Sequence, residues 1–273
     1  MEKMMLSTIS RYFTYALAAL YAVVGTILFI QPEQQAPIFA WNVTGFMTMT
    51  IGGWCLGNAW LAFFTARRWN WGLVYPALTY LWSFGILEGM IVFGFRDKLN
   101  LGYPVAWFYV AIIAINAVAA LVGVVDWLRI RPAGVSSDPM TRLMRFLATG
   151  FVLFVGFLGI YGLSVQAGAP ATNGEIFPEA MTTLTLRSFG AFYFALTIGM
   201  MPILFEKNRA PFLGYGFLAF GLIAILTIAA FAYLPLFNFS EHPFGLLYFA
   251  AYFIAGGFSI FLLRKYGTGY SRA

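Results

Sequence analysis

The sequence predicts an all-α, polytopic membrane protein with eight transmembrane helices, and three observations point there. The first is composition: 61% of the 273 residues are hydrophobic and only 10% are charged, with a mean hydropathy of +0.81. A soluble domain needs far more charge on its surface. The second is a set of eight apolar runs, each close to the length of about 20 residues that crosses a bilayer as helix. The third is the placement of Lys and Arg, which gather in alternate connections between those runs.

The first run, 12–31, ends at Gln31-Pro32 without a small-residue cleavage site. It is therefore expected to be a retained helix and not a signal peptide. The second, 43–65, carries Gly53 and Gly57 with Asn58 beside them. The third, 71–94, is long enough to tilt or to kink at Pro76, and holds Gly85, Gly89 and Glu88. The fourth, 103–126, contains Asn116 and the Ala119/Gly123 pair, and ends at Asp126 beside Arg129. The fifth and sixth, 145–166 and 183–205, bracket a longer loop, and Arg187 lies inside the sixth. The seventh, 211–236, includes Pro235, and the eighth, 243–263, has Ala251, Ala255 and Gly256-Gly257. Small residues four apart allow close backbone approach, so a packed bundle follows.

Between the fourth and fifth runs lies the one long polar stretch, Trp127 to Arg145, near the midpoint. It divides the chain into a first unit (1–130), a connection (131–144) and a second unit (145–273). Each unit reads alike: helix, longer loop, helix pair with a short basic turn, short loop with an acid, closing helix. Phe63 to Trp69 stands against Ile203 to Arg209, and Phe95-Arg96-Asp97 against Phe239-Ser240-Glu241. The layout predicts a four-plus-four internal duplication. Because four is even, both units enter from the same side and the repeats are parallel.

Thirteen of the sixteen Lys and Arg fall in the N-terminal arm, the connections after runs two, four and six, and the tail. Arg129, Arg131, Arg142 and Arg145 make the central connection the strongest basic anchor. The positive-inside rule then places both termini and this anchor in the cytoplasm, with the inner membrane as the expected location. The opposite loops carry Glu33, Glu175, Glu179 and Glu241. Anionic lipid head groups account for the net charge of +6, so nucleic acid is not an expected partner.

An ionisable side chain inside a bilayer is costly and is a functional candidate by default. Glu88 and Arg187 qualify, each about 10 Å inside the same face, and are expected to form an intramembrane ion pair. Asn58 and Asn116 are expected to hold helices together by polar contacts. Trp54, Trp60, Trp69, Trp71, Trp107 and Trp127 are assigned mostly to the interfacial aromatic belt. The glycosylation patterns at Asn42 and Asn238 are those expected by chance.

Several chemistries are argued against. One histidine, His242, cannot supply two haem ligands, and one cysteine, Cys55, cannot hold an iron–sulfur cluster or a Cys-rich structural zinc. No nucleotide-binding, zinc-protease or hydrolase motif occurs. The stretch Arg187-Ser188-Phe189-Gly190 resembles a helix start of small DoxX-like membrane proteins, a likeness of four residues that implies no activity. Short loops and few polar groups favour a non-catalytic integral membrane subunit or scaffold, whose thirty Phe could line a slot for a lipid, quinone or pigment. The alternatives are a small carrier or channel using Glu88 and Arg187, and a membrane-embedded enzyme acting on lipid or quinone.

Overall fold

The computed structural model describes residues 5–134, 138–168, 179–243 and 245–270, without the side chains of 247, 251, 262, 263 and 265–270. Glu175, Lys3 and Arg272 lie outside the described residues. The chain is all-helical. The order is α1 (Thr8–Ile30), a short α2 (Pro32–Gln35), α3 (Gly45–Arg67), α4 (Trp71–Gly94), α5 (Pro104–Ile130), α6 (Arg142–Ser164), α7 (Thr183–Met200), α8 (Ala210–Ala232) and α9 (Gly245–Tyr270). Single 3-10 turns follow α2, α4, α7 and α8. Among the described residues no β-strand forms, although Pro139 and Asn208 make one isolated bridge.

Six of these helices, α1, α4, α5, α6, α7 with its 3-10 extension, and α8, are long and apolar enough to cross a membrane. α3 is less apolar because it carries glycines, threonines, Trp54 and Asn58. Seventeen of its 23 residues are buried, between α1, α4 and α8. A helix walled off from lipid by its neighbours need not match lipid in polarity, and its small side chains let those neighbours close in. The apolar described stretch of α9 is shorter, Tyr248–Phe261.

Local chemistry starts the helices where the sequence changes from loop to apolar run. Ser7 accepts from the Ser10 N–H and Thr141 from the Met144 N–H. Thr44 and Thr182 cap α3 and α7 in the same way, from Met47 and Thr185. An N-cap hydroxyl satisfies one of the amides that a helix start leaves free. Thr141→Ala is expected to cost about 1 kcal/mol, read as a lower thermal midpoint in detergent. α4 runs unbroken through Pro76. Pro235 lies in the 3-10 turn beyond α8.

Helices meet backbone to backbone at several seams, two of them with a tight glycine on each helix. A Cβ on Gly25 of α1 would lie 2.8 Å from the Leu56 nitrogen of α3, and one on Gly52 would lie 2.7 Å from the Phe29 nitrogen. Between α6 and α7 the contact recurs: a Cβ on Gly159 would lie 2.6 Å from the Phe194 nitrogen, and one on Gly190 would strike the Leu163 nitrogen. α3 also packs on α8, and α4 on α7 and α8. There Gly57 lies under Leu222 and Gly221 under the Trp60 ring. Gly123 receives Trp82. The expected packing role does not hold for Gly257, which has nothing within 4 Å of a built Cβ.

The helices alternate in direction, which sorts the connections to two ends. At one end Arg11 donates to the Ala66 carbonyl at 2.8 Å, and Arg145 to the Leu204 and Glu206 carbonyls. Arg209 pairs with Asp138 there. Asp126 does not end its helix. It sits inside α5 and accepts from the Ser7 N–H (2.8 Å) and the Ser10 hydroxyl (2.7 Å) at the start of α1, where an anion is favoured. α5 closes only at Arg131, in the left-handed conformation (φ 45°). Arg142 and Arg145 fall in the first turn of α6, so the connection spans 131–141.

At the other end the Asn100 N–H reaches the Ala40 carbonyl at 2.7 Å. Thr44 donates to Glu179, the Tyr233 hydroxyl donates to Glu33 at 2.6 Å, and the Trp41 indole N–H donates to Thr185 at 3.1 Å. Partial burial, reinforced by the nearby charge of Glu33, holds the Glu179 carboxyl above its ordinary 4.5 despite the Thr44 hydrogen bond. The folded chain thus keeps a proton that the unfolded chain releases. Stability should fall as pH rises from 4.5 through the folded value, and Glu179→Gln should flatten that part of a melting-temperature series.

Candidate functional site

A fully buried polar cluster is built around Glu88 of α4, which is 0% exposed. One of its carboxyl oxygens, Oε1, accepts both described hydrogen bonds, from the Ser188 hydroxyl of α7 at 2.8 Å and the Tyr109 hydroxyl of α5 at 3.1 Å. The other, Oε2, is buried and has no partner. Within the same region Asn116 of α5 donates to the Tyr21 hydroxyl of α1 at 2.8 Å, and its own amide oxygen is also buried without a partner.

The sequence makes this cluster through one small residue. A Cβ on Gly85, one turn before Glu88, would lie 2.6 Å from the Asn116 side-chain carbon and 2.9 Å from its backbone carbon. α4 and α5 therefore close at that level. Tyr109 and Asn116, seven residues apart on α5, share a face and both turn toward the interior. Phe39, Trp41 and Tyr109 meet edge to face, with ring centroids 4.7, 5.1 and 5.5 Å apart. All three rings are at most 3% exposed, and the Tyr109 hydroxyl ties them to Glu88.

Glu88 and Arg187 do not pair: no ion pair within 4.0 Å joins them, and Arg96–Asp97 and Arg209–Asp138 are the ion pairs among the described residues. Nη1 of Arg187 donates to the Gly162 and Val165 carbonyls, at 2.8 and 2.6 Å, and so caps the end of α6. The reason is helical geometry. Consecutive residues point about 100° apart, so α7 cannot aim both Arg187 and Ser188 at α4. The hydroxyl gets the carboxyl group and the guanidinium gets the helix end, where cations are favoured.

Asn58 of α3 accepts from the Tyr80 hydroxyl of α4 at 2.6 Å. Its amide nitrogen and the Trp54 indole nitrogen, one turn earlier on the same face, are buried donors without partners. Trp54 is not interfacial. It is 2% exposed and stacks on Phe192 of α7 at 4.7 Å, whereas Trp107 and Trp127 are exposed. Arg129 and Arg131 lie at the far end from Glu88, with Arg142 and Arg145 opposite them across the connection.

Sequence reasoning found Glu88 and Asn116 but missed Tyr109, Ser188 and Tyr21. The seven-residue spacing of Tyr109 and Asn116 was the available signal for the first. Nothing in α1 or α7 singles out the other two, since a lone hydroxyl in an apolar run is more often bonded to its own helix, as Thr14, Thr50 and Thr197 are. Cys55 is a buried free thiol. Among the described residues no three His, Cys, Asp or Glu side chains come together as metal ligands.

What the arrangement offers is one carboxyl group, three hydroxyls and an amide in a closed apolar setting, with two acceptor oxygens left over. That set can hold a proton or a small hydrogen-bond donor, and lacks the paired acid and base of hydrolytic chemistry. Compared with protein-family models, curated proteins and solved structures, the chain matches none of them.

Proposed function

We propose that the chain is an eight-span protein of the inner membrane, with both termini cytoplasmic, in which two parallel four-helix repeats form a small carrier centred on Glu88. Recurring local features support the duplication. The interval from Ser7 to Thr141 is that from Gly25 to Gly159, so cap and glycine recur together in α1 and α6. The interval from Thr44 to Thr182 is likewise that from Gly52 to Gly190, in α3 and α7. α3 meets α8 while α4 meets α7, the exchange that a two-fold axis along the membrane normal would produce. The basic end, by the positive-inside rule, is cytoplasmic.

One observation carries the carrier reading: the carboxyl group of Glu88 is held by Tyr109 from its own repeat and by Ser188 from the other. A change at that carboxyl group is felt at the contact between repeats, which is the contact that alternating access would have to rearrange. The test is uptake by proteoliposomes under an imposed pH or sodium gradient, with a panel of amino acids, sugars, nucleosides and organic cations read by mass spectrometry. Gradient-driven accumulation of one class, lost in Glu88→Gln, is expected. No accumulation of any, with a stoichiometric membrane partner in gentle purification, would favour the second reading. That reading is a non-catalytic subunit, and the exposed apolar face of α6 (Phe146, Leu153, Phe157, Ile160) would serve it as a docking surface.

A further inference from the structure

We infer that Glu88 is a proton-binding site, its Oε2 carrying a proton while its Oε1 bridges α5 and α7 through Tyr109 and Ser188. This deepens the reading of Glu88 as the working centre, but stands on geometry that does not require transport. Glu88 keeps uncharged company. α5 brings Tyr109 and α7 brings Ser188, while Tyr21 of α1 and Cys55 of α3 lie within electrostatic reach. None is a cation. Arg187, the nearest along the chain to these partners, is turned to the end of α6. An ionised carboxylate here would be a buried charge without a counter-charge, among the costliest arrangements in a bilayer. Protonation removes the charge.

The hydrogen bonds to Glu88 are also unevenly distributed. An ionised carboxylate shares donors between two equivalent oxygens, whereas here both hydroxyls fall on Oε1 and Oε2 has none. That is the pattern of a carboxylic acid, with a carbonyl oxygen accepting and an O–H left to donate. A matching acceptor lies on the facing helix, against Gly85 one turn from Glu88. Cα–Cβ bonds tilt toward helix N-termini, so on antiparallel α4 and α5 the side chains of Glu88 and Asn116 lean toward each other across Gly85. The Asn116 amide oxygen there lacks a donor. A metal cation is the poorer fit, because two free oxygens do not make a coordination shell.

The test is infrared spectroscopy of the full chain in nanodiscs at neutral pH. The spectrum of wild type minus Glu88→Gln should show a protonated-carboxyl C=O band. Ser188→Ala and Tyr109→Phe, which each remove one hydrogen bond to that C=O, should move the band to higher frequency. Loss of ionised-carboxylate bands in the Glu88→Gln difference, in place of the C=O band, overturns the proposal. Should Glu88→Gln not fold, the two hydroxyl variants decide alone, and an unmoved band in both overturns it. A band without solute uptake defeats only the carrier reading. Uptake without the band defeats only the proton site.

Discussion

Replacing Gly190 by leucine is expected to abolish recovery of monodisperse protein from detergent extracts, and replacing it by alanine to lower the thermal midpoint sharply. The first atom of any side chain at this position meets the Leu163 nitrogen and the Gly162 carbonyl carbon of α6. Both belong to backbone, so no rotamer change can make room, and the helices must separate along their length. Overpacking by a methyl costs about 1–3 kcal/mol where neighbours can shift, and the alanine variant should sit at the top of that range. Gly159→Ala, Gly25→Ala and Gly52→Ala should follow closely, since each meets backbone nitrogen at 2.6 to 2.8 Å. Gly257→Ala is the control: its surroundings are open, and replacing a helical glycine should raise stability slightly. Equal penalties at Gly25 and Gly159 would also count for the duplication. A large inequality would count against it.

The second large effect is at Arg187. Arg187→Ala leaves the Gly162 and Val165 carbonyls without their charged donor, and charge-assisted bonds are worth about 1.5–3 kcal/mol each. A loss of roughly 3 kcal/mol is expected, read as folded yield and melting temperature. Because both bonds leave from one nitrogen, a lysine ammonium can replace much of what alanine loses. Combining Arg187→Ala with Glu88→Gln settles whether the two residues share an interaction. They have no common partner, so the double variant should equal the sum of the singles to within about 0.5 kcal/mol. A coupling well beyond that would restore the ion pair expected from sequence.

The helices were legible because the hydrophobic signal is long and repeated: 71–94 reads as one apolar run and is α4 without adjustment. Errors sit where capping or polar side chains carry a helix past its apolar stretch. α1 starts at Thr8 because Ser7 caps it, and α5 reaches Ile130 because Asp126 binds the start of α1. Burial in α3 was hidden for another reason. Its Gly, Thr and Asn content marks a helix shielded by protein, which a search for lipid-like runs undervalues. In the candidate site, Glu88 was visible because charge is rare in such segments. Its partners were not, because which neighbour a side chain meets depends on rotation about α7, and Arg187 with Ser188 differ by one residue and one neighbouring helix.

The glycine contacts also bear on how the molecule can move. Where backbone rests on backbone, sliding by less than a full turn brings a side chain into the groove, so α1 with α3 and α6 with α7 behave as stiff struts. The seams of α3 with α8 and of α4 with α7 combine one such backbone contact each, where a Cβ on Gly57 would lie 2.8 Å from the Leu222 Cα and one on Gly199 2.7 Å from the Pro76 carbonyl oxygen, with rings and branched chains such as Trp60 over Gly221. Movement at those seams must pivot about the glycine contact instead of sliding past it, and Glu88 with Ser188 lies on one of them, eleven residues along α7 from Gly199. Spin labels on α1 and α3 should therefore keep a single narrow distance distribution under all conditions, while labels on α4 and α7 broaden or shift when the carboxyl group changes state.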